Sequence, residues 1–169
     1  MAGETPLCPG CALALEPAGQ TRDERFNASG ACVHLYWELS AFTLSLADPD
    51  FPHQVVVDTY AAQHCGPGVN PITTAFAVVG LYLHLERGYT GRQVQLAHMF
   101  LGRTRRQWPR FHPPAVKATV TVRDVLQSIS KDSYRGPIER WANAVWQTWQ
   151  PQRWRVVGLV KTHLAGWAP

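Results

Sequence analysis

Residues 55–66, V-V-V-D-T-Y-A-A-Q-H-C-G, limit the fold of this chain more than any other stretch. Three valines begin the segment, and the sequence G-P-G at 66–68 is a strong signal for the end of a helix. Within about two helical turns it carries five side chains able to bind a metal or exchange a proton: Asp58, Tyr60, Gln63, His64 and Cys65. We therefore expect a single helix whose lower half meets another part of the chain at a functional or structural site.

The N-terminal sequence Cys8-Pro9-Gly10-Cys11 is the best candidate for that other part. Two residues between the thiolates let the chain turn tightly, so that both sulfurs can face one ion. A structural zinc ion is usually held by four thiolate or imidazole ligands in a tetrahedral array. The sequence therefore predicts a structural zinc site with the following four ligands: Cys8, Cys11, Cys32 and His64.

Alternatives remain open for each of these ligands. Cys65 competes with His64 for the fourth position, and His34 ranks behind both because it lies two residues from Cys32. A buried cysteine is most often a small core residue, and a histidine at the end of a helix often only bonds to the helix terminus. A thioredoxin-like redox motif fits poorly, because no strand or βαβ pattern surrounds the cysteine pair.

The chain has 169 residues, of which 46% are hydrophobic and 17% charged. This size suits one domain, and the composition argues against disorder. We predict an all-α fold, a compact bundle of about six or seven helices with an N-terminal zinc-knuckle-like arm. Residues 1–30 form the cysteine-containing arm, packed on the bundle, and residues 31–169 form the helical domain as a single folding unit.

Helical spacing of apolar residues, together with proline and glycine signals, predicts the individual helices. One further predicted helix carries Pro137 in its first turn, and another begins at Pro151. Residues 117–122 are rich in β-branched side chains and are alternatively a short strand. The other predicted helices cover residues 31–47, 52–64, 71–87, 91–100 and 121–129.

No stretch of about 18 uninterrupted apolar residues is present, so we expect no membrane span. The N-terminus lacks a basic segment followed by an apolar run, which argues against a signal peptide. We therefore expect a cytoplasmic protein. In that compartment four cysteines are metal ligands or free thiols rather than two disulfides.

A catalytic role is a second hypothesis. Asp58, Tyr60, His64 and Cys65 include the ingredients of a Cys-His-acid nucleophile or of an open metal site with a bound water. This would give a metal-dependent enzyme with hydrolysis as the candidate reaction, although neighbouring helical residues such as His64 and Cys65 point about 100° apart. Asp58 and Gln63 have a further interpretation as partners that orient the ligand imidazole through its second nitrogen.

Two other histidines, His84 and His98, lie on consecutive predicted helices. With Glu86, they could form a second metal site. We favour the simpler interpretation that each is a hydrogen-bonded polar residue near a helix end.

A basic, aromatic segment suggests a third hypothesis, a nucleic-acid or other anionic partner. Its arginines and aromatic residues are Arg103, Arg105, Arg106, Trp108, Arg110 and Phe111. We favour a solvated loop whose aromatic residues pack on the bundle, since the net charge of +4 is mild. The tryptophan-rich C-terminal helices could form a homodimer face if their aromatic rings are not all buried.

Several stretches together resemble a known family. They are C-P-G-C, a single cysteine before an amphipathic helix, V-D-T-Y-A-A-Q-H, L-x-L-E-R-G and W-A-N-A-V-W-Q-T-W. This set, from residue 8 to about residue 154, resembles domain-of-unknown-function family 5946, an uncharacterised bacterial family. The resemblance implies no reaction, but it supports taking the three cysteines and His64 as one set. The chain has Cys65 where that family would have proline, which keeps the fourth ligand open. The first hypothesis is therefore a zinc-binding helical protein acting as a binding or accessory module.

Overall fold

The computed structural model describes residues 5–17, 19, 21–104 and 107–169. Within these residues the chain forms seven α-helices and one short 3₁₀ helix and contains no β-strand, which confirms the predicted all-α bundle. The α-helices are α1 (Gly30–Ser45), α2 (Pro52–Gln63), α3 (Pro71–Arg87), α4 (Gly91–Thr104), α5 (Val122–Ser128), α6 (Arg135–Thr148) and α7 (Arg153–His163). None of the described helices is long and apolar enough to cross a membrane.

Local signals in the sequence account for most helix ends. The Ser29 hydroxyl accepts a hydrogen bond from the Cys32 amide at the start of α1, at 3.3 Å. At the start of α3 the Asn70 side chain caps the helix and Pro71 occupies its first position, where its missing N–H costs nothing. Gly88 ends α3 in the left-handed region, with φ 69°, so the predicted bounds of this helix are those observed.

The ends of α1 and α4 differ from the prediction. Helix α1 ends at residue 45 rather than 47, because Ala47 adopts a left-handed conformation with φ 50° that no α-helix can contain. Helix α4 extends to residue 104 rather than stopping near 100. Arg103 therefore lies in the last turn of a helix and not in the predicted basic loop.

The C-terminal part of the structure also differs from the prediction. Residues 117–121 are irregular rather than part of a strand, and Val122 begins α5, because the Asp124 carboxylate accepts hydrogen bonds from the Thr121 amide and hydroxyl and so starts the helix. Pro151 does not begin α7 as predicted but lies in the 3₁₀ helix Gln150–Gln152. Helix α7 begins at Arg153. Pro137 is the third residue of α6, within its first turn as predicted.

Helices α2 and α3 form the centre of the bundle. Helix α2 contacts α1, α3, α4 and α6, while α3 also contacts α7. Because α2 is surrounded, it buries polar residues as well as apolar ones, among them Asp58, Gln63 and the adjoining His64. Among the C-terminal tryptophans Trp141 and Trp149 are fully buried, whereas Trp154 is 73% exposed. The central position of α2 places its polar side chains where each must find a partner inside the protein.

Candidate metal centre

The cysteine arm is folded into a tight turn. An antiparallel bridge joins Leu7 to Ala14, and within it the Cys8 amide donates to the Leu13 carbonyl at 2.9 Å. The Ala12 amide donates back to the Cys8 carbonyl at 2.8 Å, and Ala12 itself takes a left-handed conformation with φ 62°. These bonds close the turn around the C-P-G-C sequence, so that both cysteine side chains lie buried on its inner side.

Gly10 lets this turn lie directly against the end of α2. A Cβ at Gly10 would stand 2.4 Å from Cδ2 of His64 and 2.6 Å from the carbonyl oxygen of Asn27. Only glycine fits so close an approach. The Asn27 amide donates a hydrogen bond to the His64 carbonyl at 2.8 Å, which ties the arm to α2 a second time.

Four ligand atoms from three parts of the chain meet beneath this turn. Those of Cys8, Cys11, Cys32 and His64 all lie within 4.8 Å of one another. The Cys11 and Cys32 sulfurs are 3.8 Å apart, and the Cys32 sulfur is 3.4 Å from Nε2 of His64. Ligands about 2.3 Å (sulfur) and about 2.0 Å (nitrogen) from a tetrahedral zinc ion would be separated by about 3.8 Å and about 3.5 Å. These two distances match tetrahedral coordination of one ion, and the sulfur–sulfur distance is far longer than the roughly 2.05 Å of a disulfide.

The group is closed to solvent. The exposed fractions are 1% for Cys8, 4% for Cys11 and 0% for both Cys32 and His64. Hydrogen bonds from the Cys11 and Cys32 thiols lower the pKa of Cys8, whereas hydrogen bonds to Cys11 and Cys8, together with burial, raise the pKa of Cys32. Three sulfurs so close together can all be thiolates only when a cation balances their charge.

Tyr60 orients two of the ligands. The Nδ1 atom of His64 donates to the Tyr60 carbonyl at 2.8 Å, which leaves Nε2 unprotonated and directed at the sulfurs. The Tyr60 ring stacks on the His64 ring with centroids 3.9 Å apart, and its hydroxyl donates to the Cys32 sulfur at 3.5 Å. One residue thus supports both the imidazole and a thiolate.

The prediction that Asp58 orients the His64 ring is wrong. The ring nitrogen in question is bonded to a backbone carbonyl, and Asp58 accepts a hydrogen bond from Gln54 at 3.1 Å. Six residues along a helix correspond to a rotation of about 240°, so Asp58 faces α3 and α4 rather than the cysteines.

The same prediction is wrong for Gln63. Its amide nitrogen donates to the Val120 carbonyl at 2.8 Å, and its oxygen accepts from the Trp141 indole at 2.9 Å. Gln63 therefore links α2 to α6 and to the segment before α5. Its side chain points away from the His64 ring because neighbouring positions on a helix point about 100° apart.

Cys65 does not belong to the four-ligand group. Its side chain is 4% exposed, and burial raises the pKa of its thiol. Cys65 thus has the character of a small core residue, and of the two candidates for the fourth ligand it is His64 that lies beside the cysteines.

In the described part of the basic segment, both aromatic rings pack inside the bundle. Arg105 and Arg106 lie outside the described residues, and Arg103 and Arg110 are exposed. The Trp108 ring packs edge-on against Phe76 at 4.9 Å, and Phe111, 5% exposed, packs against Trp149 at 6.1 Å. The two aromatic residues expected to stack on bases are thus occupied within the bundle.

The two other histidines lie in separate places. His84 donates from Nδ1 to the Tyr89 carbonyl at 2.6 Å, and its Nε2 pairs with the Glu139 carboxylate. His98 is 7% exposed and lies against Phe76 and Gln54. In the part of the chain that the structure describes, the cysteine-histidine group is the one cluster of three or more metal-ligating side chains.

Sequence reasoning overlooked residues that position the ligands without binding an ion. The role of Gly10 could have been predicted from the sequence, since glycine between two ligand cysteines suggests a close approach of the backbone. The role of Asn27 could not have been predicted, because it acts through its backbone amide and the packing of its chain against α2.

A family of unknown function, domain-of-unknown-function family 5946, matches residues 6–150. The matched region contains all four ligands and helices α1 to α6. No curated protein and no solved structure matches the chain.

Proposed function

The chain belongs to domain-of-unknown-function family 5946, and we propose that it is a small zinc-binding helical protein that acts as a binding or accessory module. In this proposal the zinc ion is structural and holds the N-terminal arm on the bundle. The observation that carries the proposal is the buried group of three sulfurs and one imidazole nitrogen at tetrahedral spacing.

The donor set favours zinc. Thiolate and imidazole ligands are those of structural zinc sites, whereas magnesium and calcium take oxygen ligands. The group contains no carboxylate, and the spacing fits the tetrahedral geometry that zinc adopts with four such ligands. Four unpaired cysteines also suit a reducing compartment such as the cytoplasm.

The same donor set supports a structural rather than a catalytic ion. Catalytic zinc sites hold three protein ligands and keep the fourth position for water or substrate. Here four side chains supply all four positions, and the most exposed of them, Cys11, is 4% exposed. Asp58, the predicted partner in hydrolysis, is turned away from the ion. The metalloenzyme hypothesis therefore has less support than the structural one.

A bound ion would join three segments that are distant in sequence. Cys8 and Cys11 lie in the arm, Cys32 in the first turn of α1, and His64 at the end of α2. The arm also contributes Phe26, whose ring packs against Tyr60 at 5.0 Å. Zinc would thus fix the arm where it completes the aromatic packing around α2.

Removal of the ion tests this role. We expect a chelator to increase hydrogen exchange in residues 5–17 and at the start of α1, and zinc to reverse the change. Cys8→Ser should show the increased exchange without chelator, whereas Cys65→Ser should match the wild type. Unchanged exchange in the arm after complete removal of zinc would contradict a structural role.

A further inference from the structure

A second site lies where the C-terminal ends of α3 and α7 meet. Here a cavity of about 260 Å³ opens between these two helices and the residues that follow them. The buried side chains of Leu83 and Leu164 and the half-buried Val160 form its apolar wall. Such a wall is what most small-molecule sites have, provided that a few polar groups lie beside it.

The segment after α7 folds back and adds two aromatic rings to the cavity. Gly166 takes the left-handed conformation that glycine readily adopts, with φ 78°, and the Trp167 amide donates to the Leu164 carbonyl at 3.0 Å. The centroid of the Trp167 ring is then 6.0 Å from that of Tyr89 and 6.5 Å from that of Phe100. The rings of Tyr89 and Trp167 both line the cavity as a result of this turn.

Two cations line the same cavity, and neither is paired with another described residue. Arg87 and Lys161 are both exposed, and neither forms an ion pair or a side-chain hydrogen bond within the described chain. By contrast, Arg25, Arg135 and Arg153 each pair with a carboxylate. No acidic side chain is among the described residues that line the cavity, so its two positive charges are not balanced by the protein.

The L-x-L-E-R-G segment contains one of these two cations. Its Glu86 accepts hydrogen bonds from Arg153 and from the Trp146 indole, and its Gly88 ends α3. Arg87 points about 100° away from Glu86 around the helix, and so it lines the cavity instead of joining that pairing. A cation in the last turn also offsets the helix dipole, but that role needs neither a cavity nor aromatic walls.

We propose that this cavity binds a small aromatic carboxylate. Its anionic group pairs with Arg87 and Lys161, since a guanidinium matches a carboxylate with two parallel hydrogen bonds and the ammonium adds a second charge. Its ring lies against Tyr89 and Trp167, because aromatic rings pack favourably edge-on or offset. The space suffices, since a cavity of about 150 Å³ holds benzene.

The charges and the apolar wall together select this class of ligand. A cationic ligand would meet two positive charges with no carboxylate beside them. An uncharged aromatic compound would gain the apolar contacts but no ion pair, and inorganic phosphate would gain the ion pairs but leave the apolar wall unused. The proposal goes beyond the metal centre and shares no residue with it.

β-Naphthoate is the probe, titrated into the full-length, zinc-loaded protein and followed by calorimetry. We expect saturable binding that falls about threefold to tenfold in Arg87→Gln and in Lys161→Gln, because each removes one partly solvated ion pair. Both side chains are exposed, so both variants should unfold in urea as the wild type does. Lys131→Gln, which removes an exposed lysine between α5 and α6 and outside the cavity, is the charge-matched control and should bind as the wild type does.

The amide of the same ring system, β-naphthamide, separates the contribution of charge from that of the ring. We expect it to bind the wild type more weakly than β-naphthoate does and to be insensitive to Arg87→Gln, whereas Trp167→Leu should weaken both ligands. The proposal is overturned by any of four results: no saturable binding of β-naphthoate, unchanged binding in Arg87→Gln and Lys161→Gln, an equal loss in Lys131→Gln, or β-naphthamide binding as tightly as β-naphthoate. Zinc content does not enter these results, so the metal proposal stands or falls separately.

Discussion

The two sides of α2 differ in how completely their polar atoms are paired. Towards its end, both ring nitrogens of His64 have partners, in the Tyr60 carbonyl and the Cys32 sulfur. Earlier in the same helix, Asp58 is buried just as deeply and keeps one oxygen without a partner. Completed pairing stabilises a structural site, whereas a buried oxygen without a partner carries a desolvation cost.

An aromatic stack connects the two sides. The Tyr36 and Tyr60 rings are stacked at 4.2 Å, and the Tyr60 and His64 rings at 3.9 Å. Phe26 packs edge-on against both tyrosines. Because Tyr36 and Phe26 also line a cavity between the arm and helices α1 to α4, the cysteine-histidine group supports part of the wall of that cavity. The following changes probe each side in turn.

The largest effect is expected at the metal centre. Cys32→Ser and His64→Ala should each lower the free energy of unfolding by more than about 3 kcal/mol, because loss of the ion removes the link between three segments. Cys65→Ser, the matched buried cysteine, should cost only about 1–2 kcal/mol. Urea denaturation measures all three, and equal losses in Cys65→Ser and Cys32→Ser would contradict the distinction between these cysteines.

A smaller loss of stability is expected for Trp141→Phe, which lies next to Gln63 of α2. This change removes the hydrogen bond from the indole to Gln63 and leaves a buried amide oxygen without a donor, at a cost of about 2–3 kcal/mol. Trp146→Phe is the control, since Glu86 retains its bonds from Arg153 after losing the indole. Thermal unfolding should rank Trp141→Phe below Trp146→Phe, and the reverse order would contradict this account of Gln63.

Replacing two helical glycines by alanine should change the stability of the protein in opposite directions. Gly80→Ala places a methyl group against the Asp58 carboxyl, and we expect it to destabilise the protein by about 1–3 kcal/mol. Gly158→Ala meets nothing within 4 Å on α7 and should stabilise the protein by about 0.5–1 kcal/mol. If both changes stabilise, measured by urea denaturation, then Asp58 does not hold the position described.

The smallest effect concerns pH. Burial lowers the pKa of His84, but its hydrogen bonds to Glu139 and to the Tyr89 carbonyl outweigh burial and raise it above 6.5. The resulting stability is fully present below pH 6.5 and is lost as pH rises through the raised pKa. We expect a change below about 1 kcal/mol, since the Glu139 side chain is 43% exposed and solvent screens the pair. Urea midpoints at pH 6 and pH 9 should differ less in His84→Gln than in the wild type, and an unchanged difference would contradict this assignment.

The sequence predicted those features that depend on local chemistry. Pro71 and Gly88 fix the ends of α3, and the two cysteines in C-P-G-C specify a tight turn with both side chains on one side, so both features could be predicted without the fold. The directions of Asp58 and Gln63 could not. Helix α2 is buried on nearly every side, so its sequence has no polar face that shows which neighbour each side chain meets.

Two other misses have the same origin in long-range packing. The position of Asp58 near His98, with Gln54 in contact with both, depends on how α4 packs against α2, at a separation of 40 residues. The longer α4, which removes Arg103 from the loop, follows from packing of its last turns, including the fully buried Leu101. Helical spacing alone indicated the element but not its end.

Metal content per chain, measured by elemental mass spectrometry on untagged protein, tests the central claim most directly. The account predicts about one zinc ion per chain, lost in Cys8→Ser, Cys32→Ser and His64→Ala and kept in Cys65→Ser. Absence of metal from the wild-type protein purified without chelator, or its retention in His64→Ala with loss in Cys65→Ser, would contradict it.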